Sequence, residues 1–289
     1  MSRLRLPSTR AELIPGLLCV GLFTLWAIAD GGYAQTTWYP GGIFLLGLTA
    51  IALFVYNGRL RRLGFAHRAA ILLLAAFVLW SYLSVSWAGV PGVSLDGANR
   101  TLIYLIVFAL FSLISWRPES AAVVLGVFSV GIAAVVFADV WTAAESDKAS
   151  LSLINGRFAE PMGYSNAVAA LCIGGVWPAA FLASCREVHW ASRGLMLAVT
   201  GLLLQVALLP QSRGSMLVFP VALVVYLAVV PRRLRAIAFL VPAILATALA
   251  APSILDVFTI APVPEPGTAL FGLACLGAGA LRRRRPAAL

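Results

Sequence analysis

The chain has 289 residues, of which 61% are hydrophobic and only 11% are charged. Soluble domains carry roughly one quarter charged residues, so this composition excludes an ordinary water-soluble protein. The formal net charge of +10 comes almost wholly from arginines, which lie in short clusters between apolar runs. The sequence lacks the aromatic-interleaved basic face that a nucleic-acid groove needs, so we expect no nucleic-acid partner.

Apolar runs recur from one end of the sequence to the other. Because a backbone in lipid must satisfy its own hydrogen bonds, these runs are predicted to be helices. The predicted spans cover residues 12–29, 39–57, 69–87, 101–116, 120–141, 165–184, 194–209, 215–230, 236–252 and 267–281. The fold class is therefore an all-α, polytopic transmembrane bundle of about ten spans, with the lipid bilayer as its partner.

The first apolar run has two interpretations. It follows a basic stretch that ends at Arg10, and it closes with Ala27-Ile28-Ala29, a pattern typical of a signal-peptide cleavage site. The run is either a retained span or a leader that is cleaved after Ala29. In both cases the next span enters the membrane from outside, so the predicted topology is the same.

Basic residues predict the orientation of the bundle. With the N-terminus inside, 17 of them lie on the cytoplasmic side and 4 on the outer side. This bias follows the positive-inside rule, and an even number of spans then places both termini in the cytoplasm. The inner group comprises Arg3, Arg5, Arg10, Arg59, Arg61, Arg62, Arg68, Arg117, Arg186, Arg193, Arg232, Arg233, Arg235, Arg282, Arg283, Arg284 and Arg285, and the outer group Arg100, Lys148, Arg157 and Arg213.

The outer arginines oppose the topology rule and need another reason to be there. They border two long predicted outer loops, 88–100 and 142–164, and one tight turn. Arg213 lies in that turn, where its guanidinium can bind a phosphate through two hydrogen bonds at headgroup level. The alternative is an arginine that only reaches toward lipid headgroups.

Arg157 and Arg100 each have an ordinary alternative as well. Arg157 precedes the sixth span with Glu160 three residues on, so it is either a phosphate ligand or a loop charge paired with that glutamate. Asn166, at the start of the sixth span, is alternatively a helix cap. Arg100 has Asp96 nearby as a partner.

The sequence predicts neither a metal site nor a cofactor. Its four cysteines lie within or at the end of apolar runs and are predicted to be small apolar fillers rather than a disulfide framework. The sequence has no Cys-x-x-Cys pair. The two histidines, His67 and His189, are predicted to be loop residues on the cytoplasmic side.

The stretch Gly156-Arg-Phe-Ala-Glu-Pro-Met-Gly-Tyr-Ser-Asn-Ala167 precedes a span, a short basic loop and another span. Gln211-Ser-Arg-Gly-Ser215 follows, and then a span that ends in Pro231-Arg-Arg-Leu-Arg235. This order resembles the core of the O-antigen ligase and polymerase family, over about residues 10 to 256. Asp30-Gly-Gly-Tyr33 and Ala98-Asn-Arg-Thr-Leu-Ile-Tyr104 resemble that family's first outer loop and fourth-span entrance.

The resemblance implies an enzyme that transfers or polymerises a glycan linked to undecaprenyl diphosphate. It assigns the diphosphate to Arg213, Arg157 and Arg100, with Ser212, Glu160 and Asn166 in support, and it requires no metal. In that family a histidine on a large periplasmic loop helps to activate the acceptor. This chain departs from the pattern because the sequence after Asp256 turns into a different segment, so the catalytic residue stays unassigned.

That segment contains Pro264, Glu265 and Pro266, a short apolar helix, and the basic run Arg282, Arg283, Arg284 and Arg285. It resembles a PEP-CTERM sorting signal, which implies recognition and cleavage by an exosortase in exopolysaccharide-producing Gram-negative bacteria. A helix of about 15 residues at ~1.5 Å per residue covers only part of a hydrocarbon core that is about 30 Å thick. The alternative is a plain final span.

The sequence thus predicts two parts, a ligase-like bundle at 1–258 and a sorting tail at 259–289. The expected location is the bacterial inner membrane, with the tail processed on the periplasmic side. The leading hypothesis is an enzyme of envelope or exopolysaccharide assembly. The alternatives are a non-catalytic sorted membrane protein with a degenerate bundle, and a small-solute transporter.

Overall fold

The computed structural model describes residues 12–56, 63–145, 152–154 and 156–256. Within these ranges the chain is almost entirely helical, which confirms the all-α class. The nine α-helices are α1 (Leu13–Ile28), α2 (Gln35–Val55), α3 (Phe65–Ser84), α4 (Pro91–Leu113), α5 (Pro118–Glu145), α6 (Ser165–Ser184), α7 (Trp190–Val206), α8 (Arg213–Val229) and α9 (Arg233–Asp256). Two short strands, β1 (Leu153–Ile154) and β2 (Arg157–Phe158), form an antiparallel pair.

The nine helices lie at the first nine predicted spans. Six of them, α2 to α6 and α9, are long and apolar enough to cross a membrane, which indicates a multi-pass membrane protein. The helices α1, α7 and α8 are shorter, at 16 or 17 residues. The predicted span 267–281 lies outside the described residues, so the total of about ten spans stays a prediction.

The predicted outer loop 88–100 is wrong. Helix α4 begins at Pro91. The first N–H groups of a helix have no acceptor within the helix, so a proline, which has no backbone N–H, fits this position. Asp96, Asn99 and Arg100, which follow, are helix positions that contact other helices. The Asn99 amide donates to the Tyr39 hydroxyl at 2.9 Å and accepts from the Tyr82 hydroxyl at 2.6 Å. The polar sequence is typical of a loop, but its side chains connect α4 to α2 and α3.

The chain divides into two compact units. The first unit comprises Met1–Leu22 with Ala34–Ala121, and the second comprises Phe23–Tyr33 with Ala122–Leu289. A buried cluster of Ala52, Leu110, Leu113 and Ile114 lies in the first unit. The larger cluster of the second unit is built from α5, α6, α7 and α9.

Large apolar side chains are exposed along the helix surfaces. Leu72 on α3 is 68% exposed, and Leu217 and Val229 on α8 are 77% and 78% exposed. Apolar surface on this scale is unfavourable in water and needs lipid or protein to cover it. The exposed faces therefore agree with helices that lie in a membrane.

The second unit depends on close contact at the middle of α6. A Cβ atom at Gly175 would lie 2.7 Å from Leu203 Cδ1 of α7 and 3.3 Å from Ile132 Cδ1 of α5. At the same level the Ser129 hydroxyl of α5 donates to the Gly175 carbonyl oxygen at 3.0 Å. Small residues let three helices approach closely here, as is common where helices pack in membranes.

We predict that Gly175→Val destabilises the protein by about 1 to 3 kcal/mol, because added volume overpacks a filled interface. Thermal unfolding of the purified protein in detergent would show a midpoint several degrees below that of the wild type. Gly174→Val is the matched control, because a Cβ at Gly174 meets no atom of the described residues within 4 Å. Equal midpoints for the two variants would contradict the close packing at Gly175.

Candidate functional site

Helix pairing defines two ends of the second unit. Near one end, Arg193 Nε at the start of α7 donates to the Ala183 carbonyl oxygen at the end of α6, at 3.1 Å. The opposite end carries residues 152–154 and 156–164, which precede α6, and the turn 207–212 between α7 and α8. We call it the predicted outer end. It carries both Arg157 and Arg213.

Arg157 is held at this end by its neighbour in β2. Strand residues alternate between faces, and Phe158 points inward. Its side chain is 2% exposed and belongs to the same apolar cluster as Val136 and Val168. Arg157 pairs with Ile154 of β1 in the hairpin. A buried anchor next to it therefore holds the backbone of Arg157 at the surface of the unit.

The turn after α1 packs against the same segment. Residues Asp30–Gly32 form a single helical turn, and Gly31 has a φ of +65°, which favours glycine. A Cβ at Gly31 would lie 2.8 Å from Met162 Sδ. Two motifs that carry the family resemblance, Asp30–Gly32 and the Arg157 segment, thus come together at the predicted outer end.

Arg213 is the first residue of α8 and follows the buried Ser212. The Ser212 hydroxyl accepts a hydrogen bond from the Ser215 backbone N–H at 3.2 Å and so caps the helix. Leu209, in the preceding turn, belongs to the same apolar cluster as Phe158. One cluster therefore anchors the backbones on which both outer arginines stand.

Neither arginine is paired within the described ranges. Those ranges contain ion pairs at Arg100, Arg117 and Arg232, and none at Arg157 or Arg213. Glu160, the predicted alternative partner of Arg157, forms no ion pair with it. Two positive charges at one end of the unit remain available to an anion.

Arg100 lies in the first unit, in a different environment. Its Nε is 3.2 Å from Asp96 Oδ2, and its guanidinium carbon is 5.5 Å from the centre of the Trp38 ring. The Gln35 side chain also donates to Asp96, at 3.1 Å. The predicted pairing of Arg100 with Asp96 is therefore confirmed. Any phosphate that binds Arg100 has to compete with this carboxylate.

The cap interpretation of Asn166 is wrong. Tyr164 occupies the N-cap position of α6, and its side chain makes no capping hydrogen bond. Asn166 is already the second residue of the helix, and its amide donates to the Tyr164 hydroxyl at 2.6 Å. Its side chain therefore orients that ring instead of closing the helix end.

Asp139, on α5, is a candidate that sequence reasoning missed. Its Oδ2 atom is buried and has no hydrogen-bond partner among the residues that the structure describes. It lies within electrostatic range of Glu160. Ionisable side chains inside apolar spans are rare and usually functional. The sequence feature that could have identified it is its position as the single acidic residue in the predicted span 120–141.

The histidines lie at helix starts. His67 is the third residue of α3, so its prediction as a loop residue is wrong. His189 is the N-cap of α7, and its Nδ1 accepts from the Ala191 N–H at 3.3 Å. In the described part of the chain, no group of three or more His, Cys, Asp or Glu residues lies together as a metal site would require.

We predict that Ser212→Ala lowers the free energy of unfolding by about 1 kcal/mol, because α8 loses its cap. Ser212→Thr, which keeps the hydroxyl, is the control and retains most of the stability. Thermal unfolding in detergent distinguishes the two variants. If Ser212→Ala is as stable as the wild type, the hydroxyl does not position Arg213.

In comparisons with models of protein families, with curated proteins and with solved structures, no match to this chain was found.

Proposed function

We propose that the chain is a multi-pass protein of the bacterial inner membrane that acts in envelope or exopolysaccharide assembly. In this proposal it transfers or polymerises a glycan linked to undecaprenyl diphosphate. The observation that carries the proposal is the presence of Arg157 and Arg213 at one end of the second unit, anchored on one apolar cluster and unpaired in the described ranges. The motifs around both residues support the same reading.

Glycan transfer needs positive charge where the diphosphate binds. Glycan transfer breaks the bond between the sugar's anomeric carbon and a diphosphate oxygen, so negative charge grows on the leaving diphosphate. Guanidinium groups held ready for that charge stabilise the transition state more than the ground state. Anchoring at Phe158 and Leu209 supplies the fixed backbone that such preorganisation needs.

The other proposed site residues take smaller roles. Ser212 positions Arg213 through the cap of α8. Glu160 and Asn166 lie in the segment that leads into α6, near Arg157. Arg100 is a weaker diphosphate ligand, because Asp96 already neutralises it.

A non-catalytic role is the second candidate. The observation in its favour is the position of His189, which caps α7 at the end of the second unit opposite Arg213. It therefore does not offer the acceptor-activating base that the family resemblance implies. In this alternative the bundle is degenerate, and the protein is a sorted membrane component.

The topology and the tail complete the proposal. We place both termini in the cytoplasm with ten spans, because an even number puts the basic residues of both ends inside. The Pro264-Glu265-Pro266 motif then faces the periplasm, where an exosortase cleaves the tail. Both the motif and the final span lie outside the described residues.

We expect Arg213→Ala to reduce glycan transfer by about 100-fold or more, since loss of one preorganised donor costs roughly that factor. The measurement is glycan complementation in cells that lack the activity, with the amount of inserted protein determined in parallel. Arg68→Ala, which removes an exposed arginine at the start of α3, is the control and keeps normal transfer. Arg213→Lys recovers part of the activity, because lysine keeps the charge without the two-pronged geometry.

Normal transfer by Arg213→Ala at normal protein levels would remove the diphosphate role. A wild type that inserts but transfers no glycan would favour the non-catalytic alternative.

We further expect the mature protein from cells with an exosortase to lack the residues after Pro264-Glu265-Pro266. Intact-mass measurement of the purified chain shows the loss directly. A variant with alanine at Pro264, Glu265 and Pro266 is the control and keeps its full mass. An unprocessed wild-type C-terminus in those cells would contradict the sorting proposal.

A further inference from the structure

A second group of arginines lies at the other end of the second unit. Its members, which we call the inner arginine cluster, come from the turn 185–189, the start of α7, the turn 230–232 and the start of α9. They are Arg186, Arg193, Arg232 and Arg235. A hydrogen-bonded ion pair between Arg232 Nη1 and Glu187 Oε1, at 3.0 Å, joins the two turns.

A contact between α7 and α9 places Arg193 near the face of α9 that carries Arg235. The Arg193 guanidinium lies 5.2 Å from the centre of the Phe239 ring on α9. Arg235 stands one helical turn before Phe239 and therefore shares its face. Arg235 is within electrostatic range of the other three arginines of the cluster.

The cluster carries excess positive charge. Glu187 is the carboxylate that the described structure places among the arginines. A hydrogen bond from its own backbone N–H, and then the Arg232 side chain, hold the pKa of this carboxyl below its usual value. Glu187 is therefore ionised near neutral pH, and one negative charge faces four positive ones.

Arg235 supplies a buried donor to the cluster. Arg235 Nη1 is buried and has no hydrogen-bond partner in the described part of the chain. A buried charged donor without an acceptor costs free energy. An open surface depression of about 680 Å³ adjoins it, lined by residues 228–235. The depression has room for an anion that accepts a hydrogen bond from Arg235.

The topology rule alone does not account for this arrangement. That rule places basic residues on one side of the membrane but does not require them to gather, and gathered like charges repel. The backbone at Arg232 is also strained, with a φ of +66°, a value that favours glycine.

We propose that the inner arginine cluster binds the phosphate group of an anionic phospholipid headgroup at the cytoplasmic face. Phosphate oxygens match the donor geometry of guanidinium groups. The cluster lies at the ends of apolar helices, and basic pockets between helices on the cytoplasmic side of a membrane recognise such lipids. The first-turn N–H groups of α9, which begins at Arg233, add to the attraction. The proposal does not depend on glycan transfer.

The test uses the full chain in nanodiscs of phosphatidylcholine, with and without phosphatidylglycerol. Native mass spectrometry measures the phosphatidylglycerol retained by each protein. We expect Arg235→Gln to bind this lipid about tenfold more weakly, which corresponds to the loss of one charge-assisted hydrogen bond. Arg68→Gln removes an exposed arginine of the first unit and is the matched control, with binding unchanged.

Arg235→Gln breaks no hydrogen bond within the described residues, so the variant is expected to fold, and its thermal midpoint in detergent verifies this. Arg186→Gln, at an exposed cluster position, is a second variant with a loss in the same direction. If Arg235→Gln retains as much phosphatidylglycerol as the wild type, no site exists there. If Arg68→Gln weakens binding equally, the attraction is diffuse and the proposal fails.

Cys185 gives a second readout at the cluster. The pKa of its thiol is raised, first by partial burial and then by Glu187, and the positive charges of Arg235, Arg232 and Arg193 offset part of this rise. A bound phosphate offsets the arginines, so the thiolate fraction falls. Alkylation of the Cys185 peptide, followed by mass spectrometry, should become several-fold slower with phosphatidylglycerol in the wild type. In Arg235→Gln the lipid should have little effect, and an equal slowing there would count against the site.

A further experiment distinguishes a bound lipid headgroup from a free anion as the ligand. In lipid-free detergent, inorganic phosphate and pyrophosphate are titrated while the thermal midpoint is recorded. Weak or absent stabilisation, together with tight retention of phosphatidylglycerol, supports the headgroup. Stabilisation by inorganic phosphate that requires Arg235, without retention of phosphatidylglycerol, would overturn the lipid assignment.

Discussion

The second unit depends on the contact at Gly175, where α6 lies close to α5 and α7. Because no Cβ stands there, Leu203 and Ile132 pack against the helix backbone, and the Ser129 hydroxyl reaches the Gly175 carbonyl oxygen. In lipid the hydrophobic effect contributes little to helix association, so close packing and interhelical hydrogen bonds must supply it. Both ends of the unit carry arginines on segments that this packing holds in place.

The two ends use arginine in different ways. At the predicted outer end, Arg157 and Arg213 follow or precede buried anchors, and the described residues leave them unpaired. At the opposite end, Arg193 and Arg232 already make contacts with Phe239 and Glu187. The first arrangement suits an anion that arrives and leaves during a reaction. The second suits a phosphate that stays bound and contributes to stability.

Arg100 shows why position in the sequence is insufficient to assign a role. The topology rule treats Arg100, Arg157 and Arg213 alike, as basic residues on the outer side. The structure distinguishes their environments, because Arg100 forms an ion pair with Asp96 and lies over the Trp38 ring. A guanidinium that already has a carboxylate partner is a poorer ligand for a second anion. The Asp96 contact is made one turn away on α4 and was predicted from the sequence, whereas the Trp38 contact comes from α2, which is distant in the chain.

The sequence by itself determined the all-α class and the positions of nine helices, because apolar length and backbone hydrogen bonding are local properties. It also singled out Arg157 and Arg213. Only the tertiary structure decided that 88–100 begins α4, since its polar residues find partners on α2 and α3.

The Asp139 oxygen without a hydrogen-bond partner in the described part of the chain, and the gathering of Arg186, Arg193 and Arg232 around Arg235, were likewise decided by the tertiary structure. Both depend on which helix faces meet. The physical reason is that periodicity shows how a helix divides its surface, whereas pairing partners come from packing between segments far apart in the chain.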